Sequence, residues 1–261
     1  MDLFFVKNQI YQWLCQLGNY QVQEQLGDLE VQNKENPTDL VTRIDREGEH
    51  WLSQKISSSY PDHSIWGEEE GLQKRTGNYT WIIDPLDGTM NYIHGLPVFG
   101  ISVALQYREQ TRLGVIHFPR LGKTFSAIAG AGAWENDSPI QVSSNTEPGE
   151  ALLSVCIPYS RVKNKLGDNY LAPLHSRFRG LRIMGCVVFD LCQLARGSLD
   201  ITLALKMKPW DVLAGMLIVE EAGGKYMQNK EGDDYSLLLS NTALQQHLQG
   251  DQFIQKLLKT R

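Results

Sequence analysis

The sequence has few cysteines, no excess of basic residues and no long apolar run, and each absence argues against a class of protein. Its four cysteines show no C-x-x-C spacing, so neither a zinc knuckle nor a redox pair is indicated, and we expect reduced, mostly buried thiols. A formal net charge of -5 argues against the basic stripe of a nucleic-acid-binding protein. We therefore expect no nucleic-acid partner.

Membrane and secreted proteins are disfavoured in the same way. No apolar run approaches bilayer length, and the N-terminus MDLFFVKNQIYQWL has neither a basic leader nor a small-residue cleavage site. We expect a cytoplasmic protein without a membrane partner. Repeats and low-complexity segments are missing, and 42% hydrophobic with 21% charged residues is typical of a folded globular chain.

The spacing of apolar residues predicts two halves of different character. Helical spacing near residues 3–17 and 44–56 predicts two helices, followed by a largely antiparallel sheet with strands at 81–83, 99–106, 113–118 and 124–129. The second half alternates, with strands at 152–156, 181–184 and 199–204 and helices at 187–196 and 212–222. A final amphipathic segment containing Phe253, Leu257 and Leu258 predicts a packing helix. We expect one catalytic unit over 1–261, with an α+β half to about 145 and an α/β half over about 146–261.

Residues 81–91 read W-I-I-D-P-L-D-G-T-M-N, an apolar strand that breaks into a loop. Asp84 and Asp87 offer hard oxygen ligands there. A proline and a glycine bend the backbone, so that amides near Gly88 and Thr89 can point at an anion. The pattern is typical of a metal site beside a phosphate-binding loop.

Three further motifs place carboxylates next to apolar segments. They are Asp45 in D-L-V-T-R-I-D, residues 68–70 in W-G-E-E-E-G and Asp211 in K-P-W-D-V-L-A-G. A carboxylate at the end of a buried element is unfavourable unless something positive meets it, and these motifs offer no matching set of lysines or arginines. A divalent cation would resolve the imbalance. Taken singly, Asp211 is also explained as a helix N-cap and 68–70 as a solvated charge run.

With these motifs the sequence resembles the inositol monophosphatase family of Mg²⁺-dependent, lithium-sensitive phosphatases. The matching segments are W-I-I-D-P-L-D-G-T-M-N-Y at 81–92, W-D-V-L-A-G at 210–215, G-E-E at 67–69 and D-L-V-T-R-I-D at 39–45, and the resemblance runs through essentially the whole chain. It implies a bacterial member of the family, an α+β fold built as a layered αβαβα sandwich, and a homodimer.

The resemblance also implies two to three Mg²⁺ ions per site. One would be held by Glu68, Asp84 and the carbonyl of Leu86, and a second by Asp84, Asp87 and Asp211. A further, weakly held ion would lean on Glu68 and water. Because every ligand is an oxygen, the set suits Mg²⁺.

The implied catalytic residues are Asp45 and Thr89, which orient the attacking water, together with Glu68. The amides of Gly88 and Thr89 would bind phosphate oxygens. Lys34 lies in the segment 27–38, which we expect to be a mobile loop. It matches a family lysine and could complete the ligands of a metal or a phosphate. An ordinary solvated loop lysine explains it equally well. The remaining phosphate and substrate contacts that the resemblance implies are Asp87, Gly185 and Asp211.

Substrate choice is where the sequence departs from the family. Ala204 stands where inositol-specific members carry a glutamate, and Gly185-Cys186-Val187-Val188 is bulkier than their G-[ST]-A-A. Myo-inositol phosphate is therefore expected to be a poor substrate, since its hydroxyls would lack a partner. The implied reaction is hydrolysis of a small phosphorylated metabolite resembling inositol monophosphate. The alternatives in the same fold are the 2'-phosphate of NADP, fructose 1,6-bisphosphate and 3'-phosphoadenosine 5'-phosphate.

Other residues near these motifs have weaker interpretations. Asp190 and Lys206 could line a leaving-group pocket, although solvation explains Lys206 better. We expect His94 to be structural or to form part of a pocket wall, and His117 to pack on a strand. A function of another class is a non-catalytic, metal-dependent binding or regulatory protein. The intact Thr89 and Asp45 weigh against it.

Overall fold

Two β-sheets form the framework of the protein, whose computed structural model describes residues 1–27, 29–33, 40–157 and 170–259. A short two-stranded ribbon comes first, and an eight-stranded and a five-stranded sheet follow. In chain order the strands are β1 (Gln32–Asn33), β2 (Leu40–Val41), β3 (Ser64–Gly67), β4 (Leu72–Gln73), β5 (Tyr79–Asp87), β6 (Gly100–Tyr107), β7 (Gln110–Phe118), β8 (Lys123–Ile128), β9 (Gly132–Glu135), β10 (Ser138–Pro139), β11 (Leu152–Cys156), β12 (Gly180–Arg182), β13 (Ile201–Met207), β14 (Lys225–Glu231) and β15 (Asp234–Ser240).

Helices cover both sheets and separate them. In chain order they are α1 (Leu3–Glu24), α2 (Arg43–Ser59), α3 (Thr89–Ile93), α4 (Ala172–Arg177), α5 (Val187–Ala195), α6 (Pro209–Glu221), α7 (Thr242–Leu248) and α8 (Gln252–Leu258). Within the described ranges, no helix is both long enough and apolar enough to cross a membrane.

The larger sheet has the strand order β10-β9-β8-β7-β6-β5-β3-β4. Its pairs are antiparallel, as the sequence predicts, except that β3 runs parallel to β5. The smaller sheet has the order β12-β11-β13-β15-β14, in which β11 is parallel to both of its neighbours and β15 is antiparallel to both of its own. The chain passes from one sheet to the other between residues 139 and 152.

Three hydrophobic clusters define the layers. Apolar residues of α1 and α2 pack on one face of the larger sheet. Those of α5 and α6 lie between the two sheets. Those of α4, α7 and α8 cover the far face of the smaller sheet. The order is therefore helices, sheet, helices, sheet, helices, and the expected α+β fold, a layered αβαβα sandwich, is confirmed.

Helix α6 shows why the middle layer is continuous. It is apolar almost all round, as a helix buried between two sheets must be. On β7, a Cβ at Gly114 would lie 2.7 Å from the carbonyl oxygen of Ala214, and on α6 a Cβ at Gly215 would lie 2.5 Å from Leu191 Cδ1. Two glycines therefore allow α6 to approach the larger sheet on one side and α5 on the other.

Several predicted elements are confirmed with shifted ends. The first helix buries its apolar residues as predicted, and Asp2 caps it by accepting hydrogen bonds from the amides of Phe4 and Phe5. The predicted strand 199–204 extends to Met207, with Lys206 in a left-handed conformation at a register shift. The predicted helix 212–222 begins earlier, at Pro209, because proline suits the first helical position.

Candidate functional site

The end of β5 carries two of the predicted metal ligands, Asp84 and Asp87. The pairing of β5 with β6 shifts register between them, and the amide of Leu86 donates a hydrogen bond to Asp84 Oδ1 at 2.8 Å. Gly88 follows with a φ of 90°, which a residue with a Cβ adopts only under strain. Helix α3 begins at Thr89. The chain therefore turns from strand to helix directly after the two aspartates.

Asp87 is held at the N-terminus of α5. Its Oδ2 atom accepts hydrogen bonds from the amide of Val188 at 2.8 Å and from the thiol of Cys186 at 3.1 Å. Burial raises the pKa of Asp87, while hydrogen bonds from Cys186, Val188, Gly88 and Val187 act in the opposite direction. From the sequence, segment 185–188 was noted for its bulk and for Gly185 as a substrate contact, so the role of Cys186 and Val188 in fixing a carboxylate was missed.

Four carboxylates from three motifs influence one another here. Asp84 is 1% exposed. Its burial raises its pKa well above the usual carboxyl value, and the charges of Glu68, Asp87 and Asp211 raise that pKa further. Side chains from distant parts of the sequence are therefore electrostatic neighbours. Among the residues that the structure describes, no three His, Cys, Asp or Glu side chains are grouped closely enough to hold a metal ion as they stand.

Asp211 lies in the first turn of α6. Its Oδ2 atom accepts a hydrogen bond from the amide of Lys208 at 2.7 Å, and Lys208 is the N-cap. The interpretation of Asp211 as an N-cap is therefore wrong, because the helix starts at Pro209 and Asp211 is its third residue. Ser102 on β6 donates a hydrogen bond to the carbonyl of Trp210 at 3.1 Å, which ties this turn to the larger sheet.

Asp45 and Thr89, predicted from different motifs, contact each other. Thr89 Oγ1 lies 3.1 Å from Asp45 Oδ1 and 3.0 Å from the carbonyl oxygen of Leu86. Asp45 is buried, and its other oxygen accepts hydrogen bonds from the amide and hydroxyl of Thr42 at 2.8 and 2.5 Å. A capping box at the start of α2 therefore orients Asp45 toward Thr89.

Two supporting side chains were missed from the sequence. Glu49, buried on α2, accepts hydrogen bonds from the amides of Glu69 at 2.8 Å and Glu70 at 2.6 Å. Gln21, buried on α1, donates to the carbonyl of Pro85 at 2.6 Å. The spacing of four residues from Asp45 to Glu49, which puts both on one helix face, was the signal that could have revealed Glu49.

The expected substrate-pocket residues fall in different environments. Gly185 has a φ of 72°, and the preceding carbonyl, that of Met184, accepts a hydrogen bond from Asn91 Nδ2 at 2.8 Å. Ala204 is buried on β13. Lys206 pairs with Glu231 at 2.8 Å. Lys34 and much of the 27–38 segment lie outside the described residues.

Asp190 differs from the expectation that it lines a pocket. It has no exposed surface, and its Oδ2 atom accepts a hydrogen bond from the thiol of Cys156 at 2.7 Å. Burial raises the pKa of Asp190 to about 7. It lies in the first turn of α5 and points into the protein interior. All four cysteines are free and three are buried, as expected.

The two histidines have different surroundings. His117 is buried on β7 with its Nδ1 atom 2.8 Å from Thr124 Oγ1, and burial lowers its pKa to about 4. It packs on its strand, as predicted. His94 is exposed at the end of α3.

Comparison with known proteins decides the family. The sequence model described as the inositol monophosphatase family matches residues 11–258. The chain belongs to the inositol monophosphatase family. Inositol-1-monophosphatase of Bacillus subtilis is 32% identical over 234 residues, which cover 89% of this chain and 88% of that protein. The family resemblance read from the motifs is confirmed, and so is the expectation of bacterial relatives.

Two further relatives show how names vary within this family. The fructose-1,6-bisphosphatase/inositol-1-monophosphatase of Thermotoga maritima is 36% identical over 208 residues, covering 79% of this chain and 78% of that protein. The crystal structure of the extragenic suppressor protein SuhB of Bartonella henselae superposes with a TM-score of 0.87 at 27% identity, covering 98% of each chain.

Proposed function

We propose that this member of the family is a Mg²⁺-dependent phosphomonoesterase that hydrolyses a small phosphate ester by attack of water. One observation carries the proposal: Glu68, Asp87 and Asp211 act electrostatically on the buried Asp84. Thr89, whose hydroxyl donates a hydrogen bond to Asp45, stands two positions after Asp87 in the sequence. Carboxylates that could hold cations and a pair able to orient water would therefore meet where β5 ends.

The donor set fits Mg²⁺. Carboxylates, a backbone carbonyl and retained water are the ligands that this ion prefers, and like-charged buried carboxylates are stabilised by a cation. Glu68, Asp84 and the Leu86 carbonyl would hold one ion, and Asp84, Asp87 and Asp211 a second. A third ion would rest on Glu68 and water. When bound, the ions neutralise phosphate charge and lower the pKa of the attacking water.

The residues of the chain would then orient the water. A hydroxyl carries one proton and two lone pairs. When Thr89 donates its proton to Asp45 Oδ1, it can accept a hydrogen bond from the attacking water. Thr42 keeps Asp45 fixed through two hydrogen bonds. Asp45 would therefore orient Thr89, and Thr89 the water.

Phosphate oxygens would meet backbone amides at the turn into α3. The proposed donors are the amides of Gly88 and Thr89, with Gly185, Asp87 and Asp211 lining the same space.

The substrate we propose is a small phosphate ester in which the leaving group needs no carboxylate partner. Ala204 supplies none, and it is buried between Cys156 on β11 and Leu237 on β15. Inositol 1-phosphate is therefore expected to be a poor substrate compared with NADP, fructose 1,6-bisphosphate or 3'-phosphoadenosine 5'-phosphate.

A kinetic panel of these four esters tests the proposal. Phosphate release is measured with each ester in EDTA and again after addition of Mg²⁺ in excess of the chelator. We expect release only with Mg²⁺, and the lowest kcat/KM for inositol 1-phosphate. Release that persists in EDTA after exhaustive dialysis would contradict the proposal.

A second candidate is a metal-dependent regulator that binds a phosphate ligand without turning it over. This candidate is suggested by the structural similarity to a protein that is named as an extragenic suppressor and not as a phosphatase. The Thr89 to Asp45 hydrogen bond argues for catalysis instead, because a binding protein has no need to orient water. Tight binding of an ester with no hydrolysis of any member of the panel would favour the regulator.

The remaining proposals concern assembly. We propose one catalytic unit spanning both halves, because Ser102 of the first half bonds to Trp210 of the second, beside Asp211. From the family resemblance we also propose a homodimer, lithium sensitivity and a cytoplasmic location. Sedimentation velocity tests the first of these three, and inhibition of phosphate release by LiCl tests the second.

A further inference from the structure

A buried glutamate that no sequence motif singled out holds the loop that carries Glu68. We propose that Glu49 is a positioning residue, which fixes the loop 67–71 so that Glu68 is ready to bind a divalent cation. The inference rests on the proposed function. It adds a residue of α2 that would not touch the ion or the ester.

The contacts are specific. Glu49 is 1% exposed. Its Oε2 atom accepts the amide hydrogen of Glu69 at 2.8 Å, and its Oε1 atom accepts that of Glu70 at 2.6 Å. The amide of Gly67 donates to the carbonyl of Gly71 at 3.1 Å and closes the loop at its neck. Both oxygens of one carboxylate are therefore used on successive amides directly after Glu68.

Gly67 supplies the space for this carboxylate. A Cβ at Gly67 would overlap Oε1, Cδ and Oε2 of Glu49. The φ of Gly67 is outside the left-handed region, so the backbone would accept alanine. Glycine at this position is explained by the close approach of Glu49, not by backbone conformation.

A carboxylate suits this task better than an amide. Two N–H groups point at it, and a carboxylate can accept both, whereas glutamine would turn its NH₂ group toward one of them. A buried N–H that loses its acceptor destabilises that conformation of the loop. The change from Glu49 to glutamine keeps size and shape and removes one acceptor, so it is the sharpest test.

The experiment compares four variants of the full-length chain. Glu49→Gln and Gly67→Ala each disturb the contact, and the double variant tests whether they act through it. Leu52→Ala is the matched control. Leu52 is fully buried on the same helix but belongs to the cluster between α1, α2 and the larger sheet, so its truncation lowers stability while Glu49 remains to accept the two loop amides.

Two readouts separate positioning from stability. Mg²⁺ binding is measured by calorimetry, and exchange of the amide hydrogens of Glu69 and Glu70 is measured in EDTA. Loss of a residue that orients a metal ligand typically weakens metal binding about 10- to 100-fold. We expect a loss of that size for Glu49→Gln and for Gly67→Ala, together with faster exchange of both amides. The double variant should lose no more than the worse single variant, since both remove the same contact.

The control should bind Mg²⁺ as tightly as the wild type despite its lower stability. At saturating Mg²⁺, kcat of Glu49→Gln should recover to near the wild-type value, because the water-orienting pair is untouched.

Three outcomes would overturn the inference. They are wild-type Mg²⁺ affinity in Glu49→Gln, an equal loss of affinity in Leu52→Ala, and additive losses in the double variant. A wild-type chain that binds no Mg²⁺ and releases no phosphate would overturn the proposed function first, and the positioning role with it. Failure of the inference alone is recognised by normal Mg²⁺ binding in both wild type and Glu49→Gln.

Discussion

Replacing Asp84 by asparagine should make the metal-free protein more stable and the Mg²⁺-loaded protein less so. Burial, Glu68, Asp87 and Asp211 raise the pKa of Asp84 well above 3.8. A carboxyl group with a raised folded-state pKa stabilises the protein at low pH, and this contribution is lost as pH rises from about 4 through the folded pKa. In EDTA at neutral pH, the wild type therefore carries a penalty that asparagine avoids.

The two effects have opposite signs and comparable sizes. Relief of strain at a functional site commonly stabilises a protein by about 0.5–2 kcal/mol. For a chain of this size each kcal/mol corresponds to about 2–4 °C in Tm, so the metal-free variant should melt about 1–8 °C higher. At a Mg²⁺ concentration of 100 times Kd, the wild type should gain about 2.7 kcal/mol. If the variant binds about 100-fold more weakly, it should gain only about 0.4 kcal/mol.

Thermal melting of both proteins in EDTA and in Mg²⁺ checks this crossing. Asparagine keeps an oxygen for the amide of Leu86, which lies 2.8 Å from Asp84 Oδ1, so the local turn is preserved. An equal response of the two proteins to Mg²⁺ would refute the proposal that Asp84 is a metal ligand. A less stable variant in EDTA would refute the claim that the carboxylates repel one another.

Three further predictions concern the site and its support. Thr89→Val should lower kcat about 100-fold or more with a small change in KM, while Thr89→Ser retains most activity, because the hydroxyl facing Asp45 orients the water; a valine variant with normal kcat would contradict this. Because burial lowers the pKa of His117 to about 4, its protonation opposes folding as pH falls from 6.5 to 4, so urea denaturation should show the wild type losing about 3 kcal/mol relative to His117→Gln over that range. Gly215→Ala should destabilise by about 1–3 kcal/mol, since its Cβ would lie 2.5 Å from Leu191; unchanged urea stability would show that α5 and α6 can separate freely.

The parts of the fold visible in the sequence are those that bury regular patterns. Strands β5 to β8 are rich in β-branched and aromatic residues, and they pair antiparallel in chain order, as consecutive strands usually do. The parallel pairing of β3 with β5 was not predicted. It depends on α2 returning the chain to the sheet, and β3 is a short segment of four residues. Strand β14 was missed because its sequence, KYMQNKE, is largely polar, as suits an edge strand.

The candidate site likewise has residues that the sequence predicts and contacts that it does not. Its carboxylates could be named because Asp84, Asp87 and Asp211 stand in compact motifs beside apolar segments. The sequence does not show which side chains and amides hold these carboxylates in place. The hydrogen bonds from Cys186 and Val188 to Asp87 join positions about a hundred residues apart. Those from Glu69 and Glu70 to Glu49 join a helix to a loop. Such contacts arise only when the layers pack together.

Whether the four carboxylates bind divalent cations can be seen in an anomalous difference map from crystals soaked in Mn²⁺, a substitute for Mg²⁺ with the same preference for oxygen ligands. We expect strong peaks about 2.0–2.3 Å from the carboxylate oxygens of Asp84, with Glu68, Asp87 and Asp211 as the other ligands. A map without a peak at Asp84, or with peaks only at surface carboxylates, would contradict this expectation.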